Sequence, residues 1–147
     1  FMKLATSGIC KAIERAFIKA KKKNWDCIYM LVDVHETIVK PNYSKEEIPK
    51  EFYPLAKEVL QKLSKRKDIV LILYTCSWPV EIVKYIKFFS ENGIDFKHAN
   101  KNPDVESIGY GYYEDKPYAD VLLDDKAGFD CETDWKIVDM VMESKSL

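Results

Sequence analysis

The sequence predicts an α/β domain built on a small parallel sheet. Three observations carry that expectation. Short, continuous apolar runs alternate with amphipathic stretches of ten or more residues, the pattern of βαβ units. The runs Ile28–Val32 and Ile69–Tyr74 are apolar throughout rather than alternating, as in strands buried on both faces. Three runs also stop abruptly at polar residues, at Asp33, Thr75 and Asp124-Asp125. In open α/β sheets, ligands and catalytic groups gather just beyond the carboxyl ends of the strands.

The 147 residues amount to one domain, and 47% apolar content supports a sizeable core. Twenty-three basic residues against 24 acidic ones give a net charge of −1. That balance calls for neither nucleic acid nor an anionic membrane as partner. No apolar run reaches the ~20 residues of a spanning helix, and the charged start, with Lys11, Glu14, Arg15 and Lys19, is unlike a signal peptide. The four cysteines are widely spaced without a CxxC pair. With only two histidines, His35 and His98, a structural zinc site is not expected. Reduced thiols and a cytoplasmic setting follow.

Residues 5–23 read as an amphipathic helix, with Ser7 as N-cap and Ile9, Ile13, Ala16, Phe17 and Ala20 recurring at helical spacing. Lys21, Lys22 and Lys23 suit the negative end of its dipole. The first strand covers 27–33. A polar stretch with Pro41 and Pro49 follows, short enough to be a flap over the strand's end rather than a domain. The second helix opens near Pro54 and turns Leu55, Val59, Leu60 and Leu63 inward. The second strand, 69–74, leads into a third helix with Ser77 as expected N-cap and Pro79 in its first turn. Ile82, Val83, Ile86 and Phe89 form its expected inner face, and Asn92-Gly93 ends it. A short third strand is expected near 94–98. After a tyrosine-rich loop, the fourth strand covers 119–123. A last helix, 132–144, turns Trp135, Val138, Val141 and Met142 inward.

The strand ends define the chemistry. Strand one contributes Asp33 and His35, strand two Thr75, strand four Asp124 and Asp125, with Lys116 eight residues before Asp124. Three carboxylates at one sheet edge repel one another unless a cation is present. Hard carboxylate oxygens suit Mg²⁺, which keeps several waters and takes few protein ligands. A Thr hydroxyl and a Lys ammonium beside such a metal make a phosphate site. An Asp carboxylate can attack phosphorus to give an aspartyl-phosphate.

The ordered set Asp33-Val34-His35-Glu36-Thr37, Thr75, Lys116 and Leu122-Leu123-Asp124-Asp125 resembles the four motifs of the haloacid dehalogenase-like superfamily. The resemblance covers residues 27–130, the motif-bearing core. Leu73-Tyr74-Thr75-Cys76, Glu91-Asn92-Gly93-Ile94 and Lys116–Val121 resemble a small capless hydrolase-like subgroup of bacterial and phage proteins. It implies a Rossmann-like three-layer α/β/α fold with strand order 4-1-2-3; the length gives a single domain over 1–147, and the short gaps after strands one and three leave no room for a large cap domain. The resemblance also implies Asp33 as nucleophile and Mg²⁺ ligand, the His35 backbone carbonyl and Asp124 as further ligands, and Asp125 assisting directly or through water. Thr75 and Lys116 would bind the phosphoryl group.

The second acid of the superfamily's Asp-x-Asp pair is the usual general acid/base, and His35 replaces it here. Histidine can do that work, with an ordinary pKa of ~6.5, but beside Mg²⁺ its protonated form is disfavoured. The first expectation is therefore a Mg²⁺-dependent phosphomonoesterase acting on a phosphorylated small molecule. The alternatives are a weakly active or non-catalytic metal- and phosphate-binding module, and a nucleotide or nucleic-acid end phosphatase, which the near-neutral charge weighs against. An uncapped site suits a larger substrate, or a lid supplied by a second copy in a homo-oligomer through the first helix.

Overall fold

The computed structural model describes residues 7–147. Residues 5 and 6 of the expected first helix lie outside the described residues. Helix α1 spans Gly8–Lys22, and the Ser7 side chain accepts from the Cys10 N–H, so the expected cap is in place. Strand β1 is Ile28–Val32, α2 is Ala56–Ser64, β2 is Ile69–Leu73 and α3 is Pro79–Glu91. Then come β3, His98–Ala99, β4, Val121–Leu123, a 3₁₀ turn at Asp125–Ala127, and α4, Asp134–Glu143.

All four strands are parallel, in the order β3-β2-β1-β4. Read from the opposite edge this is 4-1-2-3, with β1 between β2 and β4. Ile28 pairs with Ile69 and Val32 with Leu73 on one side, and Val32 pairs with Leu123 on the other. The register aligns three strand ends. The Asp33 N–H donates to Leu123 O at 2.9 Å, and the Tyr74 N–H to Val32 O at 2.9 Å. Asp33, Thr75 and Asp124 therefore leave the sheet side by side.

The alternation of side chains along β1 divides its residues between two faces. Ile28, Met30 and Val32 join Ile13, Phe17, Leu60 and Trp135 in one apolar core. Helix α1 packs on α4, β1 and β4, while α2 packs on α4 and β2. On the other face Leu31 and Ile72 are buried, whereas Leu122 keeps 41% of its surface exposed. Among the described residues, no helix is long and apolar enough to cross a membrane.

Several local expectations are corrected. Leu55 is not on the inner face of α2. It precedes the helix in a left-handed conformation and is exposed, while Ala56 is buried in its place. Ser77 does not cap α3. Trp78 occupies that position, and its N–H donates to the Glu81 carboxylate at 3.1 Å. Val83 is exposed, and Tyr85 with Phe89 forms the buried stripe of α3. The third strand is confined to His98–Ala99. Residues 94 and 95 are held by other partners, with the Ile94 N–H on Phe89 O and the Asp95 N–H on Ser64 Oγ.

Candidate active site

The chain reverses immediately after β1. Val34 is buried, Glu36 adopts a positive φ of 59°, and the Ile38 N–H closes the turn onto Val34 O. This turn buries Thr37 completely and points its hydroxyl back at the strand end. Thr37 Oγ1 donates to Asp33 Oδ2 at 3.3 Å and accepts from the Asp125 N–H at 3.1 Å. The buried Trp135 indole donates to Thr37 O at 2.8 Å, so α4 anchors the same turn. Asp124 caps the 3₁₀ turn, its side chain accepting from the Lys126 N–H at 2.9 Å.

These constraints bring Asp33, Asp124 and Asp125 together, with a carboxylate oxygen of each within 4.8 Å of the others. No salt bridge to a cation neutralises them among the described residues. Burial, a hydrogen bond with Asp125 and the charge of Asp124 push the Asp33 carboxyl up to about 7. Burial opposes ionisation of Asp125 too, but its hydrogen bonds with Asp33, Asp124 and Glu36 outweigh this and hold it below the ordinary range. Below about pH 7 a proton on Asp33 relieves the repulsion.

The donor set fits a small hard cation. Mg²⁺ binds oxygens at ~2.1 Å in an octahedron, which puts its ligand atoms roughly 3–4 Å apart. Asp33, Asp124 and Asp125 supply oxygens within 4.8 Å of one another, close to that spacing, and the charge to hold the ion.

The acids open into a cleft of about 640 Å³, also lined by His35, Glu36, Tyr43, Thr75, Glu81 and Lys126. Thr75 is held by the Asn100 amide, which accepts from the Thr75 N–H at 2.8 Å and donates to Thr75 O at 2.9 Å. Its hydroxyl lies 2.8 Å from Ser77 Oγ. His35 is half-buried, and burial lowers its pKa against the opposing pull of Glu81 and Glu36. Its Nε2 is hydrogen-bonded to the fully buried Tyr85 hydroxyl at 2.6 Å, and the two rings pack edge to face.

Of the six site residues expected from sequence, five line this cleft and Lys116 does not. Lys116 borders a separate hollow of about 370 Å³ with Tyr110 and Tyr112. β4 contains only Val121–Leu123 and runs toward the acids, so a residue ahead of it lies toward the other edge of the sheet. Lys126, just past the paired acids, is the lysine lining the cleft. Sequence reasoning missed Thr37, Tyr85, Asn100 and Lys126. Only Thr37 carried a signal, a hydroxyl four residues after Asp33, just ahead of the apolar pair Ile38-Val39.

A solved structure of a conserved protein from Bacteroides thetaiotaomicron shares this fold, with a TM-score of 0.61 at 30% identity over 82% of this chain and 93% of that one. The chain belongs to the family of that conserved protein. No family model and no curated protein matches the sequence, so the chemistry rests on the geometry of the cleft.

Proposed function

We propose that the protein is a Mg²⁺-dependent phosphohydrolase in which Asp33 attacks a phosphomonoester to give an aspartyl-phosphate. The observation that carries this reading is the convergence of Asp33, Asp124 and Asp125 within 4.8 Å at the ends of adjacent parallel strands, facing an open cleft. Asp33, the His35 backbone carbonyl and Asp124 would hold the ion, with Asp125 assisting. When bound, it supplies positive charge against the carboxylates and the phosphoryl oxygens.

The chain's own groups define the rest. Thr37 orients the Asp33 carboxylate, leaving one oxygen for attack on phosphorus. The Thr75 hydroxyl and the Lys126 ammonium bind the phosphoryl oxygens, taking the role the sequence gave to Lys116. Burial favours the neutral form of His35, and with its Nε2–H donating to the Tyr85 hydroxyl oxygen, Nδ1 is left to accept a proton. A neutral imidazole can accept a proton from the water that hydrolyses the aspartyl-phosphate. It is a poor donor to a leaving alkoxide. The reading therefore favours substrates whose leaving group needs little protonation. Unpaired thiols at all four cysteines are in keeping with a reducing setting such as the cytoplasm.

The pinning of His35 by Tyr85 also favours a second reading, a metal- and phosphate-binding module without turnover. A nucleic-acid substrate is disfavoured by the cleft itself, where Asp33, Glu36, Glu81, Asp124 and Asp125 outnumber Lys126.

A phosphatase assay with an aryl phosphate and Mg²⁺ separates the readings. Wild type should turn over, Asp33→Asn should lose at least about a thousandfold in kcat, and an alkyl phosphate should be hydrolysed more slowly than the aryl ester. Mg²⁺ binding without hydrolysis of any phosphomonoester would establish the second reading instead.

A further inference from the structure

A second cavity, of about 470 Å³, opens at the amino end of β1 and shares no residue with the acidic cleft. Tyr29 lines it, four residues before Asp33. At a strand rise of ~3.3 Å per residue, that is roughly 13 Å along β1 from the acids. Its size falls in the range of small-molecule sites.

The walls are aromatic. Trp25, Tyr29 and Tyr113 each meet Tyr118 edge to face, with centroids 6.0, 6.2 and 5.4 Å apart. All four rings are only partly buried, so each keeps surface on offer to a flat ligand. The rim is basic. Lys19 and Lys23, one turn apart at the end of α1, hold their ammonium groups 5.4 and 5.2 Å from the Trp25 ring centre. Neither forms a salt bridge among the described residues.

Packing against the indole restrains two otherwise mobile chains, which lowers the entropy lost when they close on an anion. Three acids lie nearby, and they differ: Asp104, whose charge reaches Tyr29, is paired with Lys97 Nζ at 2.8 Å. Asp120 is already engaged, accepting from the Tyr118 hydroxyl at 2.7 Å and the Tyr29 N–H at 2.9 Å. Asp26 is the carboxylate on the cavity lining itself, against two ammonium groups. Flat apolar walls and excess positive charge in one cavity select a single kind of ligand.

We propose that this cavity is a second binding site, for a small planar aromatic compound bearing an anionic group, of the nucleoside monophosphate kind. The ring packs on the tyrosine and tryptophan walls, and the anion meets Lys19 and Lys23. The site does not depend on the chemistry at Asp33.

The test uses the full chain in EDTA with AMP, adenosine and inorganic phosphate as probes, so that ring and charge are offered together and apart. Binding is read by calorimetry and by the indole N–H resonance of Trp25, assigned through Trp25→Phe. AMP should saturate with a Kd below about 1 mM, with adenosine and phosphate at least about tenfold weaker. Combining Lys19→Ala with Lys23→Ala should weaken AMP at least about tenfold while leaving adenosine unchanged. Both lysines are exposed, so the double variant should keep the wild-type circular dichroism spectrum. Asp33→Asn should bind AMP as wild type does. The proposal is overturned if AMP does not saturate by about 10 mM, if the double variant binds it equally well, or if Asp33→Asn abolishes binding.

Discussion

Replacing Asp33 by Asn should make the metal-free protein more stable. The substitution removes one of three carboxylates packed within 4.8 Å while keeping the shape of the side chain. The Asn carbonyl can still accept from Thr37, and its amide can donate to Asp125. A carboxyl held at about 7 instead of 3.8 corresponds to ~4 kcal/mol against the ionised fold, at 1.36 kcal/mol per pH unit. Asp33 is only partly buried, and solvent screening halves this to about 2 kcal/mol. For a chain of this length the melting temperature should rise by about 4–8 °C. The sign follows from the direction of the shift. With its folded pKa raised, Asp33 carries no penalty below about pH 4, a growing one as pH rises to about 7, and a constant one above. The assay is thermal unfolding followed by circular dichroism in EDTA from pH 5 to 8. The variant's advantage should be full at pH 8 and shrink toward pH 5. Adding Mg²⁺ should then raise the wild-type melting temperature and leave the variant nearly unmoved. An Asp33→Asn variant that melts at or below wild type in EDTA at pH 8, or whose advantage does not vary with pH, would refute the account of an uncompensated acid cluster.

Two further outcomes follow from the hydrogen bonds. Thr37→Val keeps the volume of a fully buried side chain but leaves the Asp125 N–H without its acceptor. It should cost about 1–3 kcal/mol in urea unfolding and lower kcat with little change in KM; a cost below about 0.5 kcal/mol would mean the turn is held by its apolar contacts alone. The Arg66 guanidinium donates to both oxygens of Asp68, at 2.8 and 2.9 Å, and holds its carboxyl below the ordinary 3.8. Asp68→Asn should therefore cost about 1–2 kcal/mol at pH 7, and the difference should vanish as pH falls through the depressed folded value, which acid titration of unfolding would reveal.

How much of this could be read in advance depends on how far each residue acts from its place in the chain. Asp33, Thr75 and Asp124 were legible because parallel strands must end at a common edge, and an apolar run that stops at a polar residue marks that end. Register then does the rest, through the Asp33 N–H on Leu123 O and the Tyr74 N–H on Val32 O. Tyr85 and Asn100 were not legible, since their partners lie 50 and 25 residues away and depend on how α3 and β3 dock. Lys116 misled for a related reason. Its spacing from Asp124 suggested proximity, but β4 is a short strand entered from the far edge. Leu55 and Val83 show the same limit in the helices, where a periodicity can be right while its phase or its first residue is set by the turn that precedes it.

The two halves of the proposed reaction make opposite demands on His35. Departure of an alkoxide needs a protonated group beside it, while hydrolysis of an aspartyl-phosphate needs an unprotonated one near a water. An Asp at this position can alternate between the two states when its pKa is raised by the acids around it. His35 is held toward the second state by burial, and its Nε2 is tied to an α3 tyrosine that has no exposed surface of its own. Glu81 and Glu36 pull the other way, but burial outweighs them. On the proposed mechanism this balance favours the second half-reaction, so the first is expected to limit turnover with alkyl phosphates and to cease limiting with esters that leave unaided. His35→Asp should therefore accelerate alkyl ester hydrolysis far more than aryl ester hydrolysis, and equal acceleration of both would place the bottleneck elsewhere.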